Sequence, residues 1–172
     1  MQVFENFISY RRREPMLEVK NIYDALQTKG FSTFCDVYSL GSGEFNQDLI
    51  TAIDNFTNFI LVLGAHSMER CSDDEDWLYC EIKEALEKKK NIICVFTDDV
   101  QFPDEFPAEI DNIRFQNGLK FDVFYFDRFI DHLISNFMVS EETRSESDAE
   151  KDFIIIQDVL VKYVGNARIV SI

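Results

Sequence analysis

Basic residues are scarce in this sequence: 17 Lys and Arg stand against 32 Asp and Glu, which gives a formal net charge of −15. Nucleic acids and anionic membranes reward positive surfaces, so a chain this acidic is a poor candidate for binding either. Long apolar runs are lacking too, and none approaches the ~20 residues that a membrane-spanning helix needs. We therefore expect neither nucleic acid nor membrane among its partners.

The sequence also lacks the spacings of metal sites. Its four cysteines, Cys35, Cys71, Cys80 and Cys94, form no CxxC pair, and neither histidine flanks two of them. This pattern predicts no zinc site, no disulfide framework and thiols that stay reduced. No basic start followed by an apolar run opens the chain, so we expect no signal peptide and a cytoplasmic location.

Apolar residues, by contrast, are plentiful at 46% of the chain, enough for one packed domain. Short apolar runs alternate with segments of helical periodicity, which is typical of a parallel sheet covered by helices. The predicted fold is α/β and flavodoxin-like, with three layers: a five-stranded parallel sheet of order 2-1-3-4-5 and helices on both faces. Predicted strands are 4–9, 31–35, 58–63 and 91–96, with a short fifth strand drawn from 113–115 and 122–126; predicted helices are 15–30, 45–56, 77–90 and 129–137.

The composition changes at Ser140. Residues 140–152 contain six acidic and two basic residues and no large apolar one, which predicts an exposed acidic linker. Residues 153–172 are apolar again and form a C-terminal extension of unassigned role. We therefore predict one domain at 1–139, followed by the linker and the extension.

Ligands of open parallel sheets bind beyond the carboxyl ends of the strands, so the residues after each strand are candidates. Tyr10, Arg11 and Arg12 follow the first predicted strand. With Arg13, Arg11 and Arg12 make a run of three successive arginines. Guanidinium groups match phosphate oxygens two at a time, so this run indicates either a contact with a diphosphate or ribose, or a solvated basic turn.

Trp77 and Glu81 are four residues apart and so lie one turn apart on one helix face. An indole can stack on a flat ring while the carboxylate meets a ribose. The other interpretation, a Trp packed at the sheet edge and an exposed glutamate, is favoured by the spacing taken alone. Cys80, between them, is interpreted as a partly buried residue and not as a nucleophile.

Together these segments resemble the TIR (Toll/interleukin-1 receptor) domain family over residues 4–138. The resemblance is carried by FISYRR at 7–12, by FCD at 34–36 with the loop that follows, by DW and EI within 76–82, and by NIICV at 91–95. These segments occur in the same order as in the family. The loop has Gly41 and Ser42 and lacks the proline of many receptor-type members, which fits the NAD+-cleaving subgroup better.

The resemblance implies roles for particular residues. Glu81 would be the catalytic carboxylate and Trp77 would line the nicotinamide-ribose side of the pocket. NAD+ is then the substrate, and no cofactor or metal is expected. The remaining implied substrate contacts are Tyr10, Arg11, Arg12, Asp36 and Phe45. The implied self-association loop contains Leu40, Gly41, Ser42 and Gly43.

The implied activity is cleavage of the nicotinamide-ribose bond of NAD+ to give nicotinamide and either ADP-ribose or a cyclic ADP-ribose isomer. The family resemblance further implies activation by homo-oligomerisation through residues 36–45. It also implies a place in immune or anti-phage signalling, as in stand-alone prokaryotic TIR proteins, where a separate effector senses the product. The alternative is a non-catalytic TIR adaptor that acts by protein contact. Other flavodoxin-like modules are disfavoured because a phospho-receiver wants acids, and a flavin binder a Ser/Thr/Gly loop, where Tyr10, Arg11 and Arg12 stand.

Overall fold

The computed structural model describes residues 5–12, 14–35, 55–71, 76–104, 106–116 and 118–140. These residues form one parallel five-stranded sheet of order β2-β1-β3-β4-β5, as predicted. The strands are β1 Asn6–Tyr10, β2 Thr33–Cys35, β3 Asn58–Leu63, β4 Asn91–Phe96 and β5 Gly118–Lys120. The α-helices within the described ranges are α1 Met16–Thr28, α2 Trp77–Glu87 and α3 Phe126–Asn136.

Side-chain alternation along the central strands builds two cores. In β3, Phe59 and Leu61 point to the same side as α2, whereas Ile60 and Val62 point to the side of α1 and α3. Because helices cover both faces, β3 is buried at every position and reads as a continuous apolar run. The predicted three-layer, flavodoxin-like architecture is thereby confirmed.

The fifth strand exists, but the residues predicted for it were wrong. Residues 113–115 belong to a 3-10 helix, Asp111–Phe115, and residue 122 begins the turn that leads into α3. The edge strand is instead Gly118–Lys120, whose pattern of exposed and half-buried positions carries no apolar run. A Cβ on Gly118 would lie 2.6 Å from a ring carbon of Phe96, so this strand approaches β4 too closely for a larger residue.

Helix ends follow local sequence signals with small differences. Helix α1 is followed by Gly30 with φ +90°, a left-handed conformation that glycine adopts without strain. Helix α2 ends at Glu87, so the lysines at 88–90 lie beyond its last turn, and not within it as predicted. Helix α3 begins at Phe126, three residues earlier than predicted.

Buried and half-buried amide side chains line the amino ends of β1, β3 and β4. Asn6 donates to Thr33 Oγ1 at 3.4 Å, Asn58 donates to Asn6 Oδ1 at 3.1 Å, and Asn91 donates to Asn58 Oδ1 at 2.8 Å. These side chains stand opposite one another in the register of the four strands. Asn91 also donates to the Phe137 carbonyl at 2.7 Å. We call this chain of hydrogen bonds the amide ladder.

Several predictions lie outside the described residues. They are the helix at 45–56 (apart from residues 55 and 56), the acidic linker beyond Ser140, and the extension at 153–172, and they stay predictions. No helix within the described ranges is long and apolar enough to cross a membrane.

Candidate functional site

Glu81 and Ser9 meet where β1 approaches its carboxyl end and α2 passes over the sheet. Ser9 Oγ donates to Glu81 Oε2 at 2.5 Å, and both residues are buried, with 2% and 9% of their surface exposed. A hydroxyl donated to a carboxylate is a charge-assisted hydrogen bond, which is short and fixes the acceptor's position. The carboxylate is therefore held in place by the strand beneath it.

Strand alternation explains why Ser9 reaches Glu81. Phe7 packs in the core on the α2 side, so Ser9, two residues later, points to that side as well. Sequence reasoning missed Ser9 because it was counted as the end of an apolar strand. The available signal was a small hydroxyl residue closing a buried strand, at the sheet edge where ligands of this fold bind.

The structure reverses the interpretation that the spacing of Trp77 and Glu81 alone favoured. Trp77, the first residue of α2, is 47% exposed, while Glu81 is the buried member of the pair. Burial of a carboxylate costs free energy that apolar packing does not return, so such a group is a candidate for function. An exposed indole one turn away leaves a flat apolar surface beside it.

Arg11 and Asp76 make a second link between β1 and α2. Arg11 Nη1 lies 2.8 Å from Asp76 Oδ2, and Arg11 Nη2 lies 3.0 Å from Asp76 Oδ1, a bidentate pair. Arg11 Nε also donates to the Ser67 carbonyl at 2.5 Å. Burial alone would lower the pKa of Arg11, but the hydrogen bond and charge of Asp76 outweigh it and raise that pKa above its ordinary value.

The other predicted site residues are placed differently. Tyr10 points to the opposite face of the sheet, where it packs in the core with α1 and α3, so the structure does not bring it beside Glu81. Arg12 is exposed just beyond β1. The predicted pocket residues Asp36 and Phe45 and the predicted association loop lie outside the described residues; that loop contains Leu40, Gly41, Ser42 and Gly43.

Two cysteines lie close to this site. Cys71 is buried against the Arg11–Asp76 pair, with Arg11 Nη2 3.5 Å from its Sγ. Its burial raises the pKa of the Cys71 thiol to about 11, although the neighbouring Arg11 charge acts in the opposite direction. Cys80 was interpreted as partly buried, and this was wrong: it is exposed on α2, because the helix turns that position away from the sheet.

The structural comparisons agree with this fold. The chain is similar to a metazoan TIR-STING receptor from C. gigas in complex with 2′,3′-cGAMP, with a TM-score of 0.60, 20% identity, and coverage of 80% of this chain and 40% of that one. It is also similar to the TIR domain of the Toll-related receptor TRR-2 from Hydra magnipapillata, with a TM-score of 0.50, 16% identity, and coverage of 76% and 90%. At these identities the likeness shows the fold.

Residues 7–133 match the family described as TIR domain, and the chain belongs to this family. Among curated proteins, the zebrafish (Danio rerio) NAD(+) hydrolase SARM1 is 38% identical over 133 residues, 74% of this chain and 18% of that protein. The Caenorhabditis elegans NAD(+) hydrolase tir-1 is 39% identical over 120 residues, 66% of this chain and 12% of that protein. The chain therefore spans less than a fifth of the length of these relatives.

Proposed function

We propose that this TIR domain cleaves NAD+ at the bond between nicotinamide and ribose, with Glu81 as the catalytic carboxylate. The observation that carries the proposal is the burial of Glu81 at the ligand-binding edge of the sheet, fixed by Ser9 at 2.5 Å and one helical turn from the exposed Trp77. Two relatives of 38% and 39% identity, both named NAD(+) hydrolases, support the choice of substrate.

One carboxylate is enough for this reaction. Nicotinamide in NAD+ carries a positive charge and leaves as a neutral molecule, so the leaving group needs no general acid, unlike that of most glycosidases. As the bond breaks, positive charge develops on the ribose, and a fixed anion beside it stabilises the transition state. The Glu81 carboxylate serves that purpose, and the Trp77 indole would stack on the departing ring.

The remaining substrate contacts are proposals that follow from the family resemblance. Arg12 is exposed at the end of β1, which supports its contact with the diphosphate. Asp36 and Phe45 lie outside the described residues, and their contacts at the pocket border stay predictions. Tyr10 packs in the core on the opposite face of the sheet, which does not support the substrate contact implied for it.

A matched pair of glutamates on α2 tests the proposal. Glu81→Gln should lower the rate of nicotinamide release about 100- to 1000-fold, the usual cost of removing one preorganised electrostatic group. Glu84→Gln is the control, because Glu84 lies on the same helix in an ion pair with Lys88 at 2.8 Å and 27% of its side chain is exposed. Its rate should stay within about twofold of the wild type.

The readout is nicotinamide released from NAD+ by concentrated protein, measured by mass spectrometry, with folding of each variant checked by circular dichroism. Equal rates in the Glu81→Gln and wild-type proteins would overturn the role of Glu81. A wild type that releases no nicotinamide would favour the non-catalytic adaptor, whose function is expected to survive Glu81→Gln.

We also propose that the sugar product is either ADP-ribose or a form of cyclic ADP-ribose. The two differ by one water molecule, so the same mass spectrum separates hydrolysis from cyclisation. In the further proposal that the product signals to a separate effector in immune or anti-phage defence, the reaction filtrate should activate a candidate effector and the Glu81→Gln filtrate should not. Inertness of the wild-type filtrate across candidate effectors would count against this signalling.

Self-association is proposed as the activating step, with residues 36–45 of one copy completing the site of the next. The specific activity should then rise with protein concentration and follow the oligomer fraction seen by light scattering. Full turnover by a dilute, verified monomer would overturn this step while leaving the role of Glu81 intact.

A further inference from the structure

Almost all the N–H donors of Arg11 are used in contacts within the protein. Its Nε donates to the Ser67 carbonyl, Nη1 and Nη2 hold the two Asp76 oxygens, and Nη2 also reaches Cys71 Sγ at 3.5 Å. A guanidinium group has five N–H donors in one plane, so these contacts leave at most one for any other ligand. The edge that would grip a phosphate with two bonds is already occupied by Asp76.

Asp76, the partner of Arg11, is also the residue that begins α2. It is the N-cap, and its Oδ1 accepts a hydrogen bond from the Tyr79 backbone N–H at 3.3 Å. Its side chain is 3% exposed, and that of Arg11 is 17% exposed, so water screens the pair weakly. The same carboxylate therefore joins the end of β1 to the first turn of the helix that carries Glu81.

The two links between β1 and α2 contact the helix at different positions along its axis. Ser9 and Arg11 are two residues apart along the chain, and they hold Glu81 and Asp76 respectively. A single contact leaves a helix able to pivot about it, whereas two contacts more than a turn apart fix both its position and its rotation. The Arg11–Asp76 link thus limits how far Glu81 can move from the reacting sugar.

We propose that Arg11 is a positioning residue: through its bidentate pair with Asp76 it fixes the start of α2, and hence the Glu81 carboxylate, and it does not hold the substrate's diphosphate. This inference rests on the proposed NAD+ cleavage. It replaces the substrate contact that the sequence resemblance implied for Arg11.

The kinetic test uses Arg11→Lys, Asp76→Asn and the double variant. Lysine keeps the charge but loses the fork, and asparagine keeps the helix cap but loses the charge. Each single variant should lower kcat about 10- to 100-fold, the effect of a displacement on the order of 1 Å, with KM changed less than about threefold. The double variant should be no slower than the slower single variant, because both remove the Arg11–Asp76 pair; Asp76→Asn also removes the longer and more exposed ion pair with Arg70 at 3.7 Å.

Arg114→Lys is the control, because Arg114 is half-buried and paired with Asp111 at 2.8 Å on the 3-10 helix, and not on β1 or α2; its kcat should stay at the wild-type value. A phosphate contact predicts a different result: Arg11→Lys would raise KM for NAD+ and weaken binding of ADP-ribose about tenfold or more, and the Asp76→Asn variant would keep its kcat. Either of these outcomes, or additive losses in the double variant, overturns the proposal.

A measurement without substrate separates this inference from the proposed function. Amide hydrogen exchange at Tyr79 and Cys80, in the first turn of α2, should be about tenfold faster in Arg11→Lys and Asp76→Asn than in the wild type or in Arg114→Lys. Unchanged exchange overturns the link between Arg11 and α2 even in an active enzyme. A wild type that is inactive on NAD+ overturns the proposed function, and the exchange data still decide whether Arg11 fixes the helix.

Discussion

The two ends of the sheet both bury polar side chains, but they bury different kinds. The amino end holds the amide ladder, which is neutral and in which the buried Asn6 and Asn58 bond to side chains of neighbouring strands. The carboxyl end holds ionisable groups: Glu81, which is hydrogen-bonded to Ser9, and Asp76, which is paired with Arg11. Burial costs more at the carboxyl end, because desolvating charges is far more expensive than desolvating amides.

This difference separates structure from chemistry. A neutral ladder, whose side chains satisfy one another's hydrogen bonds, stabilises a fold and sets strand register. If an apolar residue replaces one member, the other members lose a hydrogen-bond partner. A buried carboxylate is weak evidence for stability, because apolar residues in its place are often as stable. We infer that changes at the amino end mainly lower stability, while changes at the carboxyl end mainly lower the catalytic rate.

The largest expected effect is at the amino end. Asn58→Leu leaves Asn6 Oδ1 without its donor and takes from Asn91 one acceptor, so the free energy of unfolding should fall by about 3 kcal/mol. Urea denaturation measures it, with the exposed Asn112→Leu as the control. The activity of each folded molecule should not change. A stability equal to that of the control would contradict a structural role for the ladder.

The next effect concerns the Cys71 thiol at the carboxyl end. Because burial raises its pKa from 9.0 to about 11, its thiolate fraction at pH 8 is about 100-fold below that of an ordinary thiol. Iodoacetamide should therefore label the exposed Cys80 well before Cys71, as read by peptide mass mapping. Cys94, whose pKa burial raises to about 12, is the internal reference for a sealed thiol. Labelling of Cys71 as fast as Cys80 would show that the surroundings of Arg11 open readily.

A smaller effect is expected from Ser9→Ala. Removing the hydroxyl that holds Glu81 Oε2 should lower kcat for nicotinamide release about tenfold, equal to ~1.4 kcal/mol in the barrier. The free energy of unfolding should fall by about 1 kcal/mol, less than for Asn58→Leu. Ser9→Thr, which keeps the hydroxyl, should recover most of the rate. A stability loss without a rate loss would erase the contrast between the two ends.

The smallest effect is a pH dependence at the loop after β3. His66 Nδ1 lies 2.6 Å from Glu69 Oε1, and this hydrogen bond raises the pKa of the exposed imidazole above 6.5. The pair therefore contributes stability that is complete below pH 6.5 and is lost as pH rises through the higher folded value. An NMR titration should place the folded midpoint above 6.5, and His66→Gln should remove the matching slope in stability. A midpoint at or below 6.5 would disprove the pair.

The central strands were predictable because burial on both faces produces a continuous apolar run in the sequence. The runs at 58–63 and 91–96 matched β3 and β4 residue for residue, since every position of a doubly covered strand favours apolar side chains. The edge strand β5 was missed for the opposite reason. Its three residues face solvent on part of their surface, and its pairing with β4 is decided by tertiary contact through Gly118.

The site was predictable by residue type but not by burial. The helical spacing placed Trp77 and Glu81 on one face of α2, but it carried no information on which of them meets the sheet. That choice depends on Ser9, 72 residues away in the chain. Likewise, three successive arginines looked alike in the sequence, and Arg11 was distinguished by the position of Asp76, 65 residues later.

The amide ladder also fixes the register from which the position of Ser9 along β1 follows. Asn6 is pinned opposite Asn58, and Ser9 follows three residues later on β1, opposite Leu61. Inserting or deleting one residue between the pin and Ser9 would turn the hydroxyl to the other side of the sheet, because successive side chains alternate. The position of the Glu81 carboxylate therefore depends on strand register set at the amino end of the sheet, where no substrate is expected to bind.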